Sequence, residues 1–169
     1  MNEFGQWLHA TAFSQWIQTT SWVIPLLQSI HIVMIGVVFI SSLMITLRVL
    51  GRMRADEPFS AVWGRFAPWM WGGLVVMFVT GVLLVIGEPP REFGALSFWI
   101  KMSLVVCAVL LTAFLGTQLK SAPHDAATPL RGPARPTAYV LVVLWIAIIF
   151  LGRAIAYDVE VWGKLSLGA

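Results

Sequence analysis

Four stretches of the chain are almost unbroken apolar runs, and most of its charged residues fall between them. The runs cover residues 22–47, 66–87, 96–119 and 136–157. Each reaches the roughly 20 residues needed to cross a hydrocarbon layer at about 1.5 Å rise per residue. Solid apolar runs predict helices: a membrane barrel needs alternating polarity, and an open sheet would leave backbone groups unpaired in lipid. Helix-ending signals frame the runs: Gly51 and Pro58 after the first, Gly87-Glu88-Pro89-Pro90 after the second, Pro129, Pro133 and Pro136 before the fourth. The first twenty residues place Phe4, Trp7, Leu8, Ala12 and Trp16 at helical spacing, opposed by Asn2, Gln6, Thr11, Ser14 and Gln18. That pattern predicts an amphipathic helix lying in the membrane interface. It is not a signal peptide, because Glu3 stands where basic residues belong and no cleavage-like A-x-A follows. The predicted fold is all-α: an interfacial helix over 1–20, an integral membrane four-helix bundle over 21–157, a tail over 158–169, and an irregular loop over 121–135.

Composition sharpens this picture. The chain of 169 residues is 59% hydrophobic and 11% charged, against about 25% charged in soluble domains, and its mean hydropathy is +0.84. A water-soluble globule is excluded, and the 9 Trp and 10 Phe suit membrane interfaces. The lone Cys107 excludes a disulfide framework or a CxxC motif and reads as a small packing residue. A pI near 9.5 invites a nucleic-acid reading, but the basic residues are few and dispersed and read as topology determinants. The first and third connections hold Arg48, Arg52, Arg54, Arg65, Lys120, Arg131 and Arg135, and the other side holds Arg91, Lys101, Arg153 and Lys164. Seven against four puts the first set inside, with both termini in the periplasm of a bacterial inner membrane. Helix contact in lipid relies on small residues, and Ala108, Thr112 and Gly116 on the third helix, with Gly73 and Gly81 on the second, are expected to face the bundle.

Polar groups inside the spans carry the functional signal, since a buried charge there costs about 2.5–3.5 kcal/mol on insertion scales. His31 lies deep in the first span with Gln28 one turn above it. Lys101 enters the third span, Arg153 closes the fourth, and Glu88 closes the second. All five belong to the outer half, whereas Arg48 and Arg65 sit at helix ends where snorkelling accounts for them. A neutral imidazole at His31 suits haem b, with Lys101 and Arg153 facing the propionates. A sixth ligand would then come from His9, Met34, Lys101 or a second protomer, His124 being in the loop. A quinone is the second reading, held by His31 and Gln28. Copper is the third, with His31 and Met34 as ligands among Met34, Met44, Met70, Met77 and Met102.

The runs LQSIHIVMIG at 27–36, LRVLG at 47–51, FAPWMWGG at 66–73, TGVLL at 80–84 and FWIKM at 98–102 resemble a bacterial family of small four-span membrane proteins, a domain of unknown function. The resemblance implies His31, Arg48, Pro68, Trp69, Gly81 and Lys101 as marked positions. Thr46 stands where that family commonly has an aspartate. More distantly, the chain is similar to HemJ-type and CopD-like membrane proteins, which implies haem b or copper. The expected function is a membrane redox module that binds haem b or a quinone and exchanges electrons with a periplasmic partner. The alternatives are a copper-handling protein and a non-catalytic anchor in a larger complex or homo-oligomer. No nucleic-acid partner is expected, and no catalytic residue is assigned.

Overall fold

The computed structural model describes residues 2–120 and 132–167. Most of the expected loop over 121–135, with His124 and Arg131, lies outside them. The described chain is all-α: α1 (Asn2–His9), α2 (Ala12–Thr19), α3 (Val23–Val49), α4 (Phe59–Gly87), α5 (Pro89–Gly94), α6 (Leu96–Lys120), α7 (Ala134–Ala154) and α8 (Asp158–Trp162), with short 3-10 turns flanking α8. Four helices are long and apolar enough to cross a membrane, and the chain is a multi-pass membrane protein. α3 pairs most extensively with α4 and α6 with α7; α3 also touches α7, while α4 and α6 meet sparsely. The order around the bundle is therefore α4, α3, α7, α6.

One end of the bundle is capped by α1, α2, α5 and α8, and the other carries the arginines of the α3–α4 connection. α3 stops where Gly51, at φ 69°, lets the amide of Arg52 reach back to the carbonyl of Leu47 at 2.9 Å. α4 begins at Phe59, seven residues before the expected span, because Pro58 closes no helix and starts one. Arg65 is thereby inside α4 on its exposed side, paired with Glu57 at 3.2 Å.

The interfacial segment is two helices, not one. Thr11 breaks it, its hydroxyl accepting from the amide of Ser14 at 3.3 Å as an N-cap. The side it turns to the bundle is mixed in polarity. Ser14 is buried and donates to the carbonyl of Ile86 at 2.6 Å. Ile17 packs where a side-chain carbon on Gly87 would lie 3.0 Å from its Cγ2. Trp7, Phe13 and Trp16 point away from the protein, Trp7 being 62% exposed, while the Phe4 ring lies 5.9 Å from that of Phe93.

The main core lies toward the arginine end. Val38, Ile45, Val49, Phe59, Trp63, Met70, Leu115, Leu119, Leu141 and Trp145 form it, with Ala108 and Ala138 between them. Ala108, Thr112 and Gly116 face this core, and a side-chain carbon on Gly116 would lie 2.5 Å from Trp63 Cζ2. Cys107, one residue off that stripe, is exposed.

Candidate functional site

The α3–α4 interface is an antiparallel seam with a seven-residue step. Ile24, His31 and Val38 project from α3 against Gly87, Thr80 and Gly73 of α4, a larger side chain facing a small one at each level. A carbon on Gly87 would lie 3.9 Å from Ile24 Cδ1, and one on Gly73 would lie 2.8 Å from Val38 Cγ2. Between them, His31 Nδ1 bonds the hydroxyl of Thr80 at 2.8 Å. Seven residues is close to two helical turns, so the seam is continuous. His31 thus occupies a packing position in which the α4 partners are small enough to admit an imidazole. Gly81 adds to the room, since a carbon there would meet His31 Cε1 at 3.4 Å.

The Thr80 hydroxyl has one proton, and carbonyls lie 2.8 Å away at Val76 and 3.2 Å away at Met77. When Thr80 gives that proton to a carbonyl of its own helix, it accepts from His31 Nδ1–H, and Nε2 is then the accepting nitrogen of the ring. The ring is half-buried.

Lys101 is at a similar depth. From the capped ends of their helices, His31, Thr80 and Lys101 lie about 12, 11 and 8 Å along the axis at about 1.5 Å per residue. The Lys101 stem passes over α7, with Cδ 3.9 Å from where a carbon on Gly152 would stand. Its ammonium interacts electrostatically with His31 and with Glu92. Glu92, in α5, was not read from the sequence. Burial pushes its carboxyl above the usual range, against the opposing pull of Lys101 and Arg91.

Packing around these residues is sparse. No residue of α3 between Val23 and Val38 is fully buried, none of α6 between Phe98 and Ala108, and none of α7 between Ile148 and Ile155. On α4, Thr80 alone is buried between Gly73 and Gly87.

The remaining expected site residues separate from this group. Gln28 is on the exposed flank of α3. Arg153 is exposed at the end of α7, its guanidinium 5.4 Å from the ring centre of Tyr157. Glu88 pairs with Arg91. Met34, half-buried, lies one turn from His31 on the same helix. His9 is at the capped end, its Nδ1 3.0 Å from Gln18 Nε2.

Two buried polar centres were missed by the sequence reading. Arg48 is not snorkelling but 1% exposed, with Nε donating to the Glu57 carbonyl at 2.8 Å and its guanidinium 3.8 Å over the Phe59 ring. The short connection brings Glu57 and Phe59 back onto it, so burial comes with partners. Thr46, two residues earlier, donates to the Ala138 carbonyl at 3.3 Å and ties α3 to α7. At the capped end, Asp158 is 6% exposed and accepts from the amides of Leu96 at 3.0 Å and Ser97 at 2.8 Å and from the Ser166 hydroxyl at 2.7 Å. The expected tail is therefore docked, and it caps α6 from 62 residues away in sequence.

Residues 4–158 match the model of a family described as a family of unknown function, DUF6644. The chain belongs to this family. Comparison with the curated proteins and with the solved structures gives no match. The matched span of the family covers α1 to the start of α8, so it includes His31, Thr80, Lys101, Arg48 and Asp158.

The donor set bears on each expected cofactor. Of the residues expected to complete a haem site, Met34 is on α3 with His31, His9 is held at the capped end, and Lys101 is on a different helix, α6. Among the described residues, no group of three or more His, Cys, Asp or Glu could hold a metal ion. His31 and Met34 together offer two donors.

Proposed function

We propose that this family member is a membrane redox module that binds a quinol or quinone head group between α3, α4 and α6, at the level of His31. The observation that supports the reading is the His31–Thr80 hydrogen bond, because with the Thr80 proton on a carbonyl of its own helix it makes Nε2 the accepting nitrogen in the loosely packed half of the bundle. A quinol supplies two electrons and two protons on oxidation. His31 Nε2 accepts one hydroxyl proton, the second passes from the opposite oxygen to water at the capped end, and the Lys101 ammonium stabilises the negative charge that develops on that oxygen. Electrons leave to a redox partner at the capped end. On this reading the arginine end, with Arg48, Arg52, Arg54 and Arg65, faces the cytoplasm of a bacterium and the capped end its periplasm. Alkaline phosphatase fused to either terminus should be active, and inactive fusions at both would reverse the orientation.

The test is titration of the full chain in detergent with a short-chain quinone, read by quenching of tryptophan fluorescence. Saturable binding should weaken at least tenfold, about 1.4 kcal/mol, in His31→Gln and in Lys101→Met. Quinone affinity that is absent, or the same in both variants as in the parent, refutes the reading. The seam geometry favours a second one, in which His31 and Thr80 only fasten α3 to α4 in a non-catalytic anchor. His31→Gln would then lower the unfolding midpoint without touching any ligand.

A further inference from the structure

At the capped end, an open cleft of about 370 Å³ lies between α2, the start of α3 and the α4–α5 junction. His9, Gln18, Glu88 and Arg91 form its polar wall, and Ile24 and Gly87 lie at its apolar side. Its polar wall is organised from within. The only proton of the Ser14 hydroxyl goes to the Ile86 carbonyl at 2.6 Å, so Ser14 must accept from Gln18 Nε2 at 2.9 Å. The nitrogen of that amide is thereby fixed, and it must also donate to His9 Nδ1 at 3.0 Å. His9 is left as a neutral ring whose Nε2–H is a donor. Beside it, Glu88 and Arg91 form an ion pair whose side chains are 39% and 47% exposed. Such a pair is weak in water and opens readily for a ligand that satisfies both charges.

One N–H donor, one guanidinium and one carboxylate, set at the membrane-facing rim, match a phosphate joined to a primary ammonium. Trp7, Trp16 and Trp22, all exposed, belong to the same end and mark headgroup depth. We propose that the cleft binds the head of an ethanolamine phospholipid, with its phosphodiester on Arg91 and His9 and its ammonium on Glu88. A purely anionic head would meet Glu88 unpaired. A choline head has no N–H to give and favours aromatic cages, and no aromatic ring lines this cleft. The site is independent of the quinol reading, since Ile17 and Ile24 close over Gly87 between the cleft and the level of Thr80.

The experiment is native mass spectrometry of the detergent-solubilised full chain with equimolar ethanolamine, choline and glycerol phospholipids of identical acyl chains. The ethanolamine lipid should be retained at least fivefold over the other two. Glu88→Gln should bring it down to the choline level, and Arg91→Gln should lower all three. The unfolding midpoint, read in parallel, should stay within a degree or two of the parent because both side chains are exposed. Equal retention of the three lipids by the parent overturns the proposal, as does an ethanolamine preference that survives Glu88→Gln.

Discussion

Asp158→Asn isolates how far the end of the chain holds the bundle together. The Asp158 carboxylate accepts two amide protons at the start of α6 and one hydroxyl proton from Ser166. It thus does for α6 what an N-cap side chain does locally, which is typically worth about 1 kcal/mol. Here the acceptor is charged and buried, and such hydrogen bonds contribute about 1.5–3 kcal/mol each. Asparagine keeps the shape and one acceptor oxygen but turns an NH2 toward a donor, so one or two bonds are lost at a cost of about 2–4 kcal/mol. Alanine also leaves the Leu96 and Ser97 amides without this acceptor, and about 3–5 kcal/mol is expected. Ser166→Ala removes one bond and should cost about 1–2 kcal/mol. Unfolding of the full chain in mixed micelles of rising SDS content, followed by helical circular dichroism, gives the three values. An Asp158→Asn loss below about 0.5 kcal/mol, or a Ser166→Ala loss exceeding that of Asp158→Ala, would refute the capping account.

Two other predictions use the same assay. Gly116→Ala places a carbon 2.5–2.6 Å from two atoms of the Trp63 ring and should cost about 1–3 kcal/mol by overpacking. Gly72→Ala, with nothing within 4 Å, should be neutral or stabilise by up to about 1 kcal/mol. Glu92 gives a pH dependence. Its folded-state carboxyl titrates above the ordinary 4.5 because of burial, so between those two values the folded chain holds more protons than the unfolded one. Stability should therefore fall as pH rises through that window. Glu92→Gln should flatten this decline and leave the protein more stable at neutral pH, and an unchanged pH profile would count against the burial of Glu92.

The fold was legible because uninterrupted apolar length is enough to specify a spanning helix, whatever packs against it. The limits of legibility follow from pairing. Arg48 looks like a snorkelling end residue until the connection folds Glu57 and Phe59 onto it, and that return depends on the turn at Gly51. Thr80 is one hydroxyl among apolar residues, and its meaning comes from the register that sets it against His31. A trace of that register was present, since Gly73, Thr80 and Gly87 step by seven residues, as do Ile24, His31 and Val38. Arg153 was grouped with His31 on depth alone, and Gln28 on its position one turn away on nearly the same face. Depth does not fix azimuth, and both turn out to be exposed.

The uneven packing of the two halves bears on where a ligand can act. Without a hydrophobic driving force in lipid, helices stay together through close packing and hydrogen bonds. Toward the arginine end the packing is closest: Trp63 on Gly116, Val38 on Gly73, and Arg48 held by the α3–α4 connection. At the capped end the contacts form a lid, through Ser14, Ile17, Asp158 and the aromatic group of Phe93, Phe98 and Trp99. Between lid and core the helices are joined chiefly by the His31–Thr80 bond. Substitutions there should therefore affect global stability less than substitutions at Trp63 or Asp158, and a bound head group could order that layer without rebuilding the core. A histidine placed anywhere in the core would have to be accommodated by packing alone. Placed in this layer, between two packed ends, it is held in register by its bond to Thr80.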